Sequence, residues 1–547
     1  MHTLVSTPDP VTSKAARFLL PSITDLIFIL LLIAFTYGTL SSRLLWDGDI
    51  GWHIRDGQNI IAAHAIPHAD AFSATMGGKP WYAWEWLYDL GMGWIYSHLG
   101  LNGVVFFSGL VIALTFALVF RFSVLRGGTV TTIMVLLLTS IVASSIHFLA
   151  RPHVISWLIT VGWFSVLDSS YRGNGPRGYR IWWLPFVMLL WANLHGGFVL
   201  GFVLLGVFLA ADFLKRLKCR DAGQRRRASR HARHLGVVFG VSALASLINP
   251  YGYKLHVHVY QYLTNRFLMQ HIDEFRRPNI HGLPMQFFLL LLVLTLVGIL
   301  AARAKLGWAE WLLILFSSGS GLYAARNIPV AAMLLTMIAA PLFSRASVGS
   351  SGPFSRLRAF SSRMDNLEIE LRWHAWPILA VLLTTASCFH QGTLFGTPVM
   401  NAHFDATRFP VQAVDWLEQR GNREPVFTLD SWGGYLIYRL YPGTKVFVDD
   451  RHDFYGEPFV RDYLQLLHVE PGWNQVLDQL GVNLIVVPAK SKLGDRLQQA
   501  PGWKPIHQDE VANIFERSRG RFPGAKYRDP WLRVDIGSLR AISAYRC

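Results

Sequence analysis

A chain of 547 residues that is 52% hydrophobic and only 16% charged lies far from soluble domains, in which about a quarter of residues are charged. Its 51 Lys+Arg against 35 Asp+Glu leave a formal charge of +16, and its three cysteines, Cys219, Cys388 and Cys547, are far apart, which excludes a disulfide framework or a cysteine zinc site. A polytopic membrane protein is the class that remains.

Apolar runs of the kind that cross about 30 Å of hydrocarbon, roughly 17–25 residues each, recur about eleven times. They lie near 18–41, 103–121, 129–149, 154–170, 181–194, 198–214, 235–249, 285–302, 307–324, 328–344 and 374–391. The first follows Lys14 and Arg17 and ends without a small-residue cleavage site, so it is expected to remain as an anchor. The loops at 121–128, 171–180, 215–234 and 345–372 are basic, the third carrying Lys215, Arg216, Lys218, Arg220, Arg225, Arg226, Arg227, Arg230 and Arg233. Basic loops stay inside. The alternate loops hold His, Asp, Asn, Trp and Tyr, so the N-terminus is expected in the cytoplasm and everything after about 392 outside, across a bacterial-type inner membrane. The positive charge is then mostly topology, and no nucleic-acid partner is expected.

Two domains follow: a membrane domain, 1–391, including a first outer loop, 42–102, and an exported α/β domain, 392–547. In the latter, 426–429, 445–448 and 482–487 read as buried strands, with helical stretches such as 433–441 and 459–467 between them. The segment 347–362, rich in Ser, Gly and Arg, reads as a cytoplasmic linker. No G-x-x-x-x-G-K-[ST] is present, so no nucleotide-driven pump is encoded.

The first outer loop reads W-D-G-D-I-G-W-H-I-R-D-G-Q-N-I-I, then I-P-H-A-D-A-F-S, then G-K-P-W-Y-A-W-E-W-L-Y-D-L. About sixty residues are too many for a connector. Asp49 and His53 are four apart and share a helix face, and Trp52, Trp81, Trp84, Trp86 and Trp94 suit helices lying at the headgroup plane. An acid held there can deprotonate or orient an acceptor. The alternative is structural: Asp47 or Asp49 caps a helix and Asp70 a turn.

D-x-x-x-H/Y at the end of the first crossing, G-x-x-I, I-P and P-x-x-x-W-E-W-L before an aromatic amphipathic helix resemble the first periplasmic loop of GT-C membrane glycosyltransferases. That superfamily includes aminoarabinose, protein O-mannosyl and oligosaccharyl transferases. The resemblance implies a catalytic or metal-binding acid in this loop. His53 aligns that acid with Asp49, Asp47 being the competitor, since Gly48 separates acids that the family usually has side by side. His53, Asp70 and Glu85 are further substrate or acceptor candidates. H-F-L-A-R-P-H places Arg151 and His153, W-A-N-L-H-G-G-F places Asn193 and His195, and Y-A-A-R-N-I-P places Arg326, all on the outer side. Ionisable groups at such depth are costly and commonly functional. Together they suit a phosphate, for which Arg offers a fixed fork of donors; the alternative is that Asn and His satisfy each other and that the arginines snorkel.

Further on, F-T-L-D-S-W-G-G-Y loosely resembles the W-W-D-Y-G segment of oligosaccharyltransferases, which reads the acceptor. It makes Asp430 and Trp432 acceptor candidates, against a plain strand-to-helix turn. The run 449–453 fits D-D-x-x-D, a magnesium-binding pattern in prenyl-diphosphate synthases. Here it follows a strand and is expected to make a strand-end site at most.

The resemblance therefore implies a GT-C-type hexosyl or pentosyl transferase. It would move a sugar from a polyprenyl-phosphate donor, drawn from the lipid, to a glycan, lipid or protein acceptor on the periplasmic side, with Asp49 as base. No cofactor is called for, and a divalent metal belongs to the first rival, an oligosaccharyltransferase-like enzyme with a diphosphate-linked donor. The other rivals are a lipid or polymer transporter without catalysis and a non-catalytic scaffold.

Overall fold

The computed structural model describes residues 19–38, 40–173, 180–302, 306–346, 355–371 and 374–518. Lys14, Arg17, half of the expected linker (347–354) and Cys547 lie outside them; the other half of that linker belongs to the helix Ser355–Glu370. The chain divides into two compact units. One comprises the described residues up to Asp47, Asp56–Ile66 and Ala83–His403; the other comprises Gly48–Arg55, Pro67–Tyr82 and the described residues from Phe404 on. The second unit is thus discontinuous: it takes in two pieces of the expected first outer loop, and its C-terminal part starts at Phe404, because the hairpin of Thr393–Leu394 and Thr397–Pro398 counts with the first.

The first unit is helical. Each of the eleven apolar runs has its helix, from Ile23–Thr36 through Ala375–Phe389, as expected where backbone polar groups must be satisfied within the segment. Among the described residues, five helices are long and apolar enough to cross a membrane: Trp86–Leu125, Val130–His147, Gly196–Lys218, Leu283–Ala302 and Ala325–Arg345. Ile23–Thr36, Arg180–Leu194 and Ala375–Phe389 are shorter apolar helices. Leu283–Ala302 leaves Leu289, Leu290, Val293, Leu296, Val297 and Leu300 exposed, a face that lipid accommodates and water does not. This is a membrane protein.

Sequence detail explains how the bundle is pinned. Ser22 and Asp25 form a capping box at the start of Ile23–Thr36, and buried Glu368 accepts from the backbone of Ile23 and Thr24 and pairs with Arg121 at 2.9 Å. The expected amphipathic helix and second crossing are one element, Trp86–Leu125, interrupted at Gly100, whose φ of 61° favours glycine. At the centre, Ile328–Ala346 packs on Leu283–Ala302, Trp308–Tyr323 and Val130–Ser144. All its side chains from 331 to 342 are buried, with alanines that let neighbouring helices approach closely.

The second unit is α/β. Its four-stranded sheet runs in the order Val426–Phe427, Leu484–Pro488, Ala512–Arg517, Trp503–Gln508. The first pair is parallel and the others antiparallel. The stretch expected as a strand at 445–448 makes single bridges instead: Val446 pairs in parallel with both Val426 and Ser73. The helix Asp430–Leu440 follows the first strand and His452–His468 follows the bridging segment, so two helices begin at the same end of adjacent parallel segments. Gly48 and Gly51 lie directly on the first of these helices: a Cβ on Gly51 would stand 2.2 Å from the Gly434 carbonyl oxygen.

Candidate functional site

In the membrane unit, the segment before the first outer loop is tied to the segment before helix His153–Tyr171. Ala150 donates its N–H to the Leu44 carbonyl at 2.8 Å, and Arg43 donates to the Ser145 carbonyl at 2.9 Å. This brings Arg151 onto Asp47, Nη1 to Oδ2 at 2.9 Å, and the same nitrogen bonds Glu274. Glu274 lies in the short turn Asp273–Phe275. Arg326 stacks on Phe275 at 4.5 Å, and Ala325 donates to the Arg276 carbonyl. Glu274 therefore sits in the field of two guanidiniums. Burial would raise its carboxyl, but Arg151, then Arg326, His147 and His153, hold it well below the usual carboxylate range.

The histidines flank this group. His153 Nε2 lies 2.9 Å from the His147 carbonyl oxygen, with the two rings 5.7 Å apart. His195 Nδ1 accepts from Gly197 N–H at 3.0 Å, which leaves a neutral ring's proton on Nε2, 3.7 Å from Glu85 Oε1. Asn193, expected to help bind phosphate, is committed elsewhere: it accepts from Trp86 Nε1 and donates to the Leu189 and Ile248 carbonyls. Sequence reasoning missed Glu274 and His147. The signal for Glu274 was present: I-D-E-F-R-R-P lies in a loop already placed with the outer group.

In the other unit, Asp70 belongs to a buried ion cluster. Arg451 binds Asp449 through two parallel bonds, Nε to Oδ1 at 2.8 Å and Nη2 to Oδ2 at 2.7 Å, and Asp70 at 2.8 Å. Rings of Trp81, Phe454, Phe72 and Trp52 surround its guanidinium at 4.7–5.7 Å. Burial would raise the Asp70 carboxyl, but Arg451 and Ser73 hold it below its ordinary value. This geometry gives Asp70 a structural part. His53 is buried against Trp52, and Trp432 is buried with its indole N–H on the Arg408 carbonyl at 2.9 Å.

The D-D-x-x-D run divides. Asp449 faces inward to Arg451, whereas Asp450 and His452 gather with Asp430. Asp430 is the first residue of its helix rather than a side-chain cap. It accepts the Ser431 N–H at 2.7 Å and bonds His452 Nε2 at 2.9 Å. Burial opposes charge on His452, but Asp430, then Asp49 and Asp453, lift its imidazole above the ordinary value. Asp49 immediately precedes helix Ile50–Ala63, is 2% exposed, and has a carboxylate oxygen within 4.8 Å of one from Asp450.

No family model matches the chain, and neither does any curated protein. Among solved structures, the oligosaccharyltransferase of Archaeoglobus fulgidus in the apo form has a TM-score of 0.54 at 11% identity, covering 85% of this chain and 69% of its own. The same enzyme tethered by a disulfide to an acceptor peptide with the NVT sequon has a TM-score of 0.54 at 12% identity, covering 85% and 68%. The chain shares its fold with this oligosaccharyltransferase. ArnT from Cupriavidus metallidurans bound to undecaprenyl phosphate has a TM-score of 0.47 at 15% identity, covering 90% and 97%.

Proposed function

We propose that this chain is a membrane glycosyltransferase that moves a sugar from a polyprenyl-phosphate-linked donor to an acceptor on the outer side of an inner membrane. The observation that carries this reading is that Glu274 takes Arg151 directly while its neighbour Phe275 takes Arg326, which gathers two guanidiniums about one carboxylate, on a fold shared with an oligosaccharyltransferase. Two guanidiniums around one anion suit a phosphate, and each arginine lies just before a long helix, His153–Tyr171 or Ile328–Ala346, where N-terminal backbone donors add to the attraction. In this reading Glu274 holds the arginines in place until the donor phosphate takes its position.

Transfer forms a bond from the acceptor atom to the anomeric carbon and breaks the bond from that carbon to the phosphate oxygen. The acceptor's proton goes to a carboxylate, and the charge left on the polyprenyl phosphate is met by Arg151 and Arg326. Asp47 is engaged with Arg151, so Asp49 is assigned the base.

The test is binding of a polyprenyl phosphate to the full chain reconstituted in lipid. Arg326→Lys and Arg326→Ala should both weaken binding, because a point charge cannot replace two parallel bonds. Equal binding by wild type and both variants overturns the donor assignment. The fold match and the Asp430–Asp450–His452 cluster favour one second reading, an oligosaccharyltransferase-like enzyme with a diphosphate-linked donor and a divalent metal. Preference for a diphosphate carrier with added metal would select it.

A further inference from the structure

At the basic ends of the membrane helices, three side chains from three elements form a line of hydrogen bonds. Ser170 lies in the last turn of His153–Tyr171, Asp212 in Val199–Lys218 and His231 in Ala222–Ser246. His231 Nδ1 is 2.6 Å from Asp212 Oδ2, and its Nε2 is 3.0 Å from Ser170 Oγ. A carboxylate can only accept, so the imidazole proton stands on Nδ1 and the lone pair of Nε2 faces the serine hydroxyl. This is the order of partners in a serine nucleophile with its base and its orienting acid, an arrangement that recurs on unrelated folds and is recognised by geometry. The Asp212 side chain is 3% exposed and that of His231 16%, and Ser170 is half-buried. The acid is thus screened from water while base and nucleophile stay partly exposed.

The surroundings define the depth of this group. Beside Asp212, Phe213 and Leu217 are exposed, whereas Lys215, Arg216 and Lys218 fill the last turn of the same helix. An apolar face that gives way to cations marks the boundary between acyl chains and headgroups. The carboxylic esters of a glycerolipid lie at that boundary. Lys215 Nζ stands 5.5 Å from the centre of the Tyr171 ring, which is 6.0 Å from the imidazole of His231. An ammonium is therefore at hand for a developing oxyanion or for an anionic headgroup.

We propose that Ser170, His231 and Asp212 form a second catalytic site, one that hydrolyses carboxylic esters of lipids with anionic headgroups. Ser170 Oγ forms a bond to the ester carbonyl carbon and His231 Nε2 takes the hydroxyl proton. Collapse of the tetrahedral adduct breaks the bond to the alkoxy oxygen, and the leaving alcohol takes that proton from His231. Water then attacks the acyl-serine, again giving its proton to His231, and Ser170 recovers a proton as the fatty acid leaves. The proposal does not depend on the sugar donor.

The full-length protein, purified in detergent, is treated with a fluorophosphonate and digested for mass spectrometry. A phosphonyl adduct is expected on Ser170 and not on the adjacent Ser169, because His231 bonds the former. His231→Gln should slow labelling by roughly 10² or more, and Asp212→Asn should slow it by removing the acceptor that fixes the tautomer. Vesicles of phosphatidylglycerol carrying a fluorescent acyl chain should release fluorescent fatty acid with the wild type and not with Ser170→Ala. A network that only pins three helices together would give neither result. No adduct on Ser170 of the wild type overturns the site, and an adduct without release of fatty acid overturns the lipid ester as its substrate. Because both decisive readouts are made on the wild-type protein, misfolding of a variant does not protect the proposal.

Discussion

A Cβ on Gly434 would stand 2.4 Å from the carbonyl oxygen of Gly48. Gly48 and Asp49 and the S-W-G-G helix, all of the second unit, therefore meet backbone to backbone. A Cβ on Gly48 would in turn stand 2.7 Å from the Ser431 carbonyl oxygen, which accounts for the glycine between Asp47 and Asp49. The contact also sets Asp49 beside Asp450.

Gly434→Ala should destabilise the second unit, since the clash is with a carbonyl rather than a flexible side-chain tip. Overpacking of this kind costs about 1–3 kcal/mol. Thermal unfolding of the full chain should show a lowered midpoint, and an unchanged midpoint would show that the two backbones separate without cost.

Asp70→Asn should cost on the order of 3 kcal/mol, because it leaves the buried Arg451 with less compensating charge. The pH dependence has a definite sign. The folded-state pKa of Asp70 is depressed, so its contribution is fully present above the unfolded value near 4 and is lost as pH falls through the lower native value. Urea midpoints measured between about pH 6 and 3 should fall more steeply for wild type than for Asp70→Asn.

Glu274→Gln removes the carboxylate that faces both arginines. Affinity for a polyprenyl phosphate should rise several-fold, equivalent to about 1 kcal/mol. Weaker binding would show instead that the ordering of the arginines by Glu274 outweighs its competition with the phosphate.

Asp49→Asn keeps shape and removes basicity, so transfer should fall by roughly 10² to 10⁴. Normal turnover with folding intact contradicts the assignment, and a loss confined to Asp47→Asn moves the role by two residues. Reporter fusions at 225 and at the C-terminus should report cytoplasmic and exported positions, respectively. The reverse result would move the proposed chemistry to the other side of the membrane.

Hydropathy and local spacing were enough to place a helix on every apolar run, because a segment without water partners must satisfy its own backbone. They also pointed to Arg151, next to Pro152, and to Arg326, three residues before Pro329. Strand Trp503–Gln508 escaped notice: it is largely exposed and contains Pro505, so it lacks the apolar pattern of a core strand. Charge sites resisted sequence reading for a different reason. Whether an aspartate is a ligand or half of a buried ion pair depends on what faces it. Within 449–453, neighbouring residues point in opposite directions, Asp449 and Arg451 inward to Asp70 and Asp450 outward to Asp430. Glu274 gained its place only when a distant loop met Arg151. The sequence by itself determined the helices and the class of protein, through burial and backbone hydrogen bonding. Only the tertiary structure decided which acids lie in the buried cluster around Arg451 and which gather with His452, since long-range electrostatics depends on distances that the order of residues does not contain.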